Sequence, residues 1–352
     1  MKKIHVNVSA GYDVIIGEDL LKDAGQYVKE LGGAGKVMLV SDDTVFGLYG
    51  DIVTASIENA GIAVNAFVFP HGEGSKNIDT YSRLLEKALS DNIKRNDIFV
   101  ALGGGVTGDI TGFAAATFKR GVRFVQLPTT LLAAVDASVG GKTAIDLPGG
   151  KNQVGAFHQP SLVLCDTLTL ATLPDEQYRS GMAEAIKTAM IADEALFSKL
   201  ENSGFRQNAE ELIASCVDIK RRFVEEDERD TGARMMLNFG HTFAHAIEAA
   251  SGYNVLHGFA VAAGMAVITR SACNRGYCGD DVPARLERVL SANGLPIDTE
   301  YSADVLLPYV YGDKKAETDR INIVLPRGIG ECEIRKFGLE EIEELMLDGG
   351  IR

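Results

Sequence analysis

The chain has 352 residues, with 35 Lys or Arg against 49 Asp or Glu, a formal charge of −14. That acidic surplus excludes the basic footprint of a nucleic-acid binder, and 46% apolar with 24% charged residues excludes a disordered chain. At about 100–200 residues per domain, the length predicts two domains.

The longest apolar run, Gly258 to Ile268, is about half of what a membrane helix needs, so no membrane partner is expected. Met1-Lys2-Lys3-Ile4-His5 has no apolar stretch behind its basic residues, which predicts no secretory leader. Cys165, Cys216, Cys273, Cys278 and Cys332 form no C-x-x-C pair. They read as free thiols of a reducing compartment, hence a cytoplasmic protein.

In chain order, His5 to Ile16 predicts a strand pair turning at Ala10-Gly11. Strands are predicted at Lys36 to Val40, Ala63 to Phe69, Asp97 to Leu102 and Gly121 to Leu127. A helix is predicted at Thr80 to Asn92 and another at Ile110 to Phe118. This alternation predicts an α/β domain with a mostly parallel sheet. From Asp175 to about Asn293 the spacing is helical throughout, which places a boundary near Leu173-Pro174. The expected division is a nucleotide-binding α/β domain, 1–174, and an all-α domain, 175–352, with one late strand pair at Arg320 to Pro326 and Glu331 to Arg335.

Three patterns carry chemistry. Gly103-Gly104-Gly105-Val106-Thr107-Gly108-Asp109 follows a buried strand and opens a helix. Glycines let backbone approach a diphosphate, and a helix N-terminus offers unpaired N–H groups. The spacing is not that of a Rossmann fingerprint, and a tight turn needing positive φ is the alternative. Asp42, at the end of an early strand, suits ribose hydroxyls or, equally, a helix N-cap.

Ser138-Val139-Gly140-Gly141-Lys142-Thr143 is not a Walker A loop, because Asp136 stands where its first glycine belongs. With Lys151-Asn152 behind Pro148-Gly149-Gly150, it reads as lysines and an asparagine on glycine-rich turns, suited to phosphate or carboxylate. Solvated surface lysines are the alternative.

His241 and His245 share a helix face at i and i+4, His257 follows, and Glu184 lies on an apolar helix. Two histidines and a carboxylate form a familiar zinc set. Half-buried, hydrogen-bonded imidazoles are the alternative for each histidine. Lys187, Lys220, Arg234 and Lys314-Lys315 add cations that would need an anionic partner. For Lys220-Arg221-Arg222, a solvated face paired to Glu225 and Glu226 stays open.

Together, Gly103 to Asp109, Gln126 to Leu132, Asp136 to Thr143, Lys151-Asn152, Thr172-Leu173-Pro174, Glu184 to Lys187 and Leu237 to Thr242 with His245 resemble the 3-dehydroquinate synthase family of sugar phosphate cyclases. The resemblance implies a nucleotide-binding α/β domain, a helical domain, and an active site between them. It implies NAD at Asp42, at His71, Gly72, Glu73, Gly74, Ser75 and Lys76, at Gly105, Val106, Thr107, Gly108 and Asp109, at Thr129 and Thr130, at Lys142 and Lys151, and at Thr169, Leu170, Ala171 and Thr172. It implies a zinc or cobalt ion on Glu184, His241 and His257, with His245 facing substrate instead. Asp136, Lys142, Lys151, Asn152, Lys187, Lys220, Arg234, Asn238 and Lys314 or Lys315 would line a pocket for an anionic sugar acid phosphate. Arg120 resembles an arginine that reaches the neighbouring subunit's site, which implies a homodimer. Asp230 stands where the family commonly has Glu. The implied reaction converts 3-deoxy-D-arabino-heptulosonate 7-phosphate to 3-dehydroquinate and phosphate, with NAD reduced and regenerated within one turnover.

Overall fold

Strands buried on both faces read as unbroken apolar runs, and the centre of the first unit is built from such runs. The computed structural model describes residues 1–202, 208–312 and 320–352. The chain separates into two units, Met1–Leu173 with Ala209–Glu228, and Pro174–Asn208 with Arg229–Arg352.

The first unit runs β1 (Lys2–Val6), β2 (Tyr12–Gly17), α1 (Ala24–Glu30), β3 (Lys36–Asp42), α2 (Asp43–Val45), α3 (Asp51–Asn59), β4 (Ala63–Phe69), α4 (Ile78–Ser90), β5 (Ile98–Gly103), α5 (Gly105–Thr117), β6 (Arg123–Pro128), β7 (Lys142–Leu147), β8 (Gly150–Phe157) and β9 (Leu162–Asp166). Seven strands form one sheet in the order β1-β2-β9-β6-β5-β3-β4, parallel except for β1 against β2. Val37 and Leu39 of β3 face a core completed by Val28, Val53 and Ile57. Met38 and Val40 face the opposite core, with Leu84, Ile110 and Phe113. Helices therefore cover both faces.

From β3 the chain steps outward to β4 and then returns to β5 on the other side of β3. The carboxyl ends of β3 and β5 are thus a topological switch point, where open α/β sheets bind their ligands. Asp42 ends β3 and Gly103 ends β5.

Several expectations change here. The helix after the glycine run begins at Gly105, not Ile110, so Val106, Thr107 and Gly108 lie in its first turns. Lys142, Lys151 and Asn152 lie on the antiparallel hairpin β7–β8 rather than on loose turns. Strand β9 was not expected; its five residues, Leu162 to Asp166, are all buried.

The second unit contains α6 (Asp175–Ala192), α7 (Glu194–Glu201), then, after α8 (Ala209–Glu226), α9 (His241–Ala250), α10 (His257–Asn274), α11 (Asp281–Ala292), α12 (Ala303–Gly312), β10 (Arg320–Gly328), β11 (Glu331–Gly338) and α13 (Leu339–Asp348). Among the described residues its only strands are those of the β10–β11 hairpin, so it is not strictly all-α; the hairpin matches the late strand pair expected. Helix α8 departs from the contiguous division at 174: it belongs to the first unit. It packs on β1 and β2, and Glu225 Oε1 accepts the Asn7 amide at 2.8 Å. No helix among the described residues is long and apolar enough to cross a membrane.

Candidate active site

At the switch point, Ser41 Oγ donates to the Leu102 carbonyl at 2.7 Å, tying the ends of β3 and β5. Of the glycines here, Gly103 and Gly104 are favoured by space rather than by φ. None of Gly103, Gly104 and Gly105 has positive φ. A Cβ on Gly103 would lie 2.4 Å from Thr107 Oγ1, and one on Gly104 3.0 Å from Thr130 Cγ2. A Cβ on Gly108 would lie 2.6 Å from Gln126 Oε1, so this glycine lets α5 close on β6. The first-turn amides of α5 have no helical acceptor, which makes this turn an anion cradle. Asp42 Oδ1 accepts the Val45 amide at 2.9 Å, so the N-cap reading holds for that oxygen. Tyr49, which the sequence reading did not single out, binds Thr172 Oγ1 through its hydroxyl at 2.5 Å.

Beside the cradle lies a charged knot. The Lys76 ammonium is 5% exposed and contacts Asp109 Oδ2 and Asn152 Oδ1, each at 2.5 Å. Burial pulls the Lys76 pKa down, but the neighbouring Asp109, Glu73 and Asp146 carboxylates together outweigh it and leave the pKa raised. Burial pushes the Asp109 carboxyl up, against the pull of Lys76. The Asn152 backbone N–H donates to Asp146 Oδ1 at 2.7 Å, and Lys151 Nζ lies 3.3 Å from Glu73 Oε1. The knot therefore gathers the 72–76 turn, α5 and the β7–β8 hairpin. Lys220 of α8 joins Asp136 at 2.6 Å, while Arg221 turns to Asp218 and Glu225. Of that basic triplet, Arg221 takes the expected partner Glu225, while the exposed Arg222 pairs with Asp218 instead.

In the second unit, α6 is buried over every residue from Ser180 to Ile191. A charge there must be paired. Glu184, fully buried, lies 2.5 Å from the Lys187 ammonium, itself 1% exposed. Gly258 N donates to Ser180 Oγ at 3.0 Å, which seats the start of α10 on α6 and brings His257 Nε2 to 3.2 Å from Glu184 Oε1. A Cβ on Gly264 would lie 2.3 Å from the Gly240 carbonyl oxygen, so glycine lets α9 and α10 meet closely. That contact carries His241, the first residue of α9, to 3.7 Å from the same Glu184 oxygen.

One ligand atom from each of Glu184, His241 and His257 falls within 4.8 Å of the others. His245 is not in that group; its ring centre lies 5.6 Å from that of His241. The i and i+4 spacing pairs His241 with His245, whereas the geometry groups His241 with His257. His241 Nδ1 lies 3.2 Å from the Phe239 carbonyl oxygen and His257 Nδ1 3.1 Å from Glu248 Oε2, leaving both Nε2 atoms toward Glu184. Burial opposes the charge on Glu184, yet Lys187, His257 and His241 hold its pKa well below the carboxylate range. Burial pushes His241 down to about 3. Burial also opposes a charge on His257, but Glu184 and Glu248 lift it to about 10.

Both Glu184 oxygens are buried and neither completes a well-directed hydrogen bond among the described residues. A carboxylate so placed, with two imidazoles presenting Nε2, fits a divalent ion of the zinc type. Arg234, 2% exposed, and Asn238 lie on the short helix Ala233–Asn238 just before His241. Lys314 and Lys315 lie outside the described residues. Arg120 is exposed, on a turn where Lys119 and Arg120 both have positive φ. Glu248 is the site residue that sequence reasoning missed; a buried glutamate inside a helix leaves no signature, although its place seven residues after His241 puts it on the same face.

A doubly wound sheet with an anion cradle at its switch point, and a helical unit with a His₂Glu donor set, define a nucleotide- and metal-using class of enzyme. Family models described as 3-dehydroquinate synthase N-terminal and 3-dehydroquinate synthase C-terminal match residues 66–180 and 181–316. The chain belongs to the 3-dehydroquinate synthase family. It is 42% identical to a 3-dehydroquinate synthase of Pelobacter propionicus, over 97% of this chain and 98% of that one. It is 40% identical to one of Streptococcus mutans, over 98% and 99%. Among solved structures, 2-deoxy-scyllo-inosose synthase complexed with carbaglucose-6-phosphate, NAD⁺ and Co²⁺ superposes with a TM-score of 0.89 at 25% identity, covering 98% of this chain and 99% of that chain. The 2-epi-5-epi-valiolone synthase of Streptomyces hygroscopicus, with NAD⁺ and Zn²⁺ bound, gives 0.88 at 29% identity and 97% coverage of each. The NADH-dependent butanol dehydrogenase A of Thermotoga maritima, at 16% identity and a TM-score of 0.65 over 96% of each chain, shares the fold alone.

Proposed function

We propose that this chain converts 3-deoxy-D-arabino-heptulosonate 7-phosphate to 3-dehydroquinate and phosphate, a lyase step of the shikimate route to aromatic amino acids, in the cytoplasm. The observation that carries this reading is the Glu184, His241 and His257 donor group in a chain of this family. Identity of 40–42% to the two 3-dehydroquinate synthases, against 25–29% to the inosose and valiolone synthases, favours this substrate over theirs.

NAD, held in the first unit, would take and return a hydride, and a zinc or cobalt ion on Glu184, His241 and His257 would polarise the hydroxyl being oxidised. In this reading Asp42 receives the ribose, and the first turn of α5, Gly105 to Asp109, receives the diphosphate. Thr129, Thr130 and the Thr169 to Thr172 turn complete that site, with the 71–76 turn beside it.

The chain's own residues supply charge and orientation. The substrate carries a carboxylate and a phosphate, and a protein of net charge −14 must concentrate cations to hold them. Lys187, Lys220 and Arg234 are 1%, 6% and 2% exposed. Cations fixed by packing act on developing negative charge without reorganising. Lys187 is anchored by Glu184 and Lys220 by Asp136, so each ammonium is already aimed when substrate arrives. Asn238 and His245 hold substrate oxygens, Lys142, Lys151 and Asn152 meet it from the hairpin, and Lys314 is assigned by resemblance alone. A homodimer in which Arg120 serves the neighbouring site completes the proposal.

The deciding experiment measures phosphate release from the heptulosonate phosphate, with and without NAD⁺ and a chelator. Release that needs both NAD⁺ and metal, with no accumulated NADH, is expected. Steady NADH production would assign a dehydrogenase instead.

A further inference from the structure

We infer that Glu248 is a positioning residue for the metal group: it accepts the Nδ1 hydrogen of His257 and so fixes the tautomer that presents Nε2 as a ligand atom. This inference rests on the proposal that Glu184, His241 and His257 hold a divalent ion.

Glu248 is 2% exposed, and its Oε2 lies 3.1 Å from His257 Nδ1. An ionised carboxylate can only accept, so the hydrogen between them belongs to Nδ1. A neutral imidazole with its hydrogen on Nδ1 carries its lone pair on Nε2, the atom 3.2 Å from Glu184 Oε1. Helix α9 thus does two jobs from one face. Its first residue, His241, is a ligand, and two turns on Glu248 orients the ligand that α10 supplies.

The backbone holds Glu248 in place. Its carbonyl accepts the Ser251 hydroxyl at 2.7 Å and the Tyr253 amide at 2.8 Å, closing the turn into α10. The two histidines are also treated differently. His241 has a backbone carbonyl at Nδ1, whereas His257 has a charged side chain there. A carboxylate behind an imidazole raises its basicity as a ligand, and loss of such a partner typically weakens metal binding by about 10–100-fold.

The test is Zn²⁺ affinity, read by competition with a chromophoric chelator, for the full chain and for Glu248→Ala, Glu248→Gln and Glu184→Ala. Glu248→Ala should bind Zn²⁺ about 10–100-fold more weakly with an unchanged circular dichroism spectrum. Glu248→Gln, whose amide oxygen can still accept from Nδ1, should lose less. Glu248→Ala binding within twofold of the unaltered chain would overturn the inference. Should Glu248→Ala not fold, the ¹⁵N spectrum of the Zn²⁺-loaded unaltered chain decides. A protonated Nδ1 on His257 supports the inference, and a protonated Nε2 overturns it. If Glu184→Ala binds Zn²⁺ as tightly as the unaltered chain, the metal reading itself fails, a separate result.

Discussion

Gly258 and Ser180 touch without room for a methyl group. The Gly258 amide donates to Ser180 Oγ at 3.0 Å, and a Cβ built on Gly258 would lie 2.0 Å from the Ser180 carbonyl oxygen. One residue before that contact stands His257, and four residues after Ser180 stands Glu184. A backbone contact of two small residues therefore sets the spacing of two members of the donor group.

Gly258→Ala should destabilise the chain by about 1–3 kcal/mol, because the clash is with backbone that cannot rotate away. It should also weaken Zn²⁺ binding by shifting His257. Gly47→Ala is the matched control, since a Cβ at Gly47 meets nothing within 4 Å. Urea unfolding of the two variants should separate them clearly; equal midpoints would mean that α10 is not held in this way.

Much of this arrangement was legible in the sequence, for physical reasons. The runs at β3 and β5 are apolar on both faces, so they announced a covered parallel sheet. The β7–β8 hairpin reads as turns in the sequence because its outer strand is glycine-punctuated and turns only Val154 and Ala156, both half-buried, toward the core. The start of α5 was hidden because Gly105 and Gly108 are poor helix formers; tight packing on Thr130 and Gln126, which only the fold supplies, selects glycine nearby. Spacing offers His245 beside His241, whereas the candidate donor group takes its second histidine, His257, from the next helix. The membership of α8 in the first unit depends on contacts such as Asn7 to Glu225, 218 residues apart, which no local pattern reports.

The Lys76–Asp109 pair should be costly to break from one side. Asp109→Asn removes the charge facing an ammonium that is 5% exposed. Leaving a buried charge uncompensated costs about 3–5 kcal/mol, whereas replacing both partners with apolar residues is often close to neutral. Asp109→Asn should therefore unfold at lower urea than the double variant Lys76→Met with Asp109→Leu. The reverse order would show that the ammonium finds other compensation in the knot.

Metal binding should compete with a proton at His257. In metal-free protein, Glu184 and Glu248 lift this histidine to about 10, so at neutral pH it is charged and must lose its proton to become a ligand. The sign follows: apparent Zn²⁺ affinity should rise as pH is raised from 6 toward 9, about tenfold per unit for one displaced proton. Calorimetry in buffers of different ionisation enthalpy would count the proton. Affinity that does not change over this range would mean that His257 enters the group already neutral.

Arg120 gives the sharpest test of the proposed homodimer. Its turn is strained, with Lys119 and Arg120 at φ of 50° and 66°. Residues in the left-handed region persist where surrounding contacts hold them. Here Arg95 donates to the Lys119 carbonyl at 2.8 Å and Lys119 Nζ to the Ile93 carbonyl at 2.5 Å. If Arg120 acts on the neighbouring site, Arg120→Ala and His257→Ala homodimers should each be inactive. Mixing the two variants and exchanging subunits should then restore about a quarter of full activity. Half of the dimers would be mixed, and in each of those one site has both its metal ligands and its partner's arginine. An arginine acting within its own subunit predicts no recovery, because one site of the mixed dimer lacks Arg120 and the other lacks His257. The exchange assay thus separates the two arrangements by presence or absence of signal.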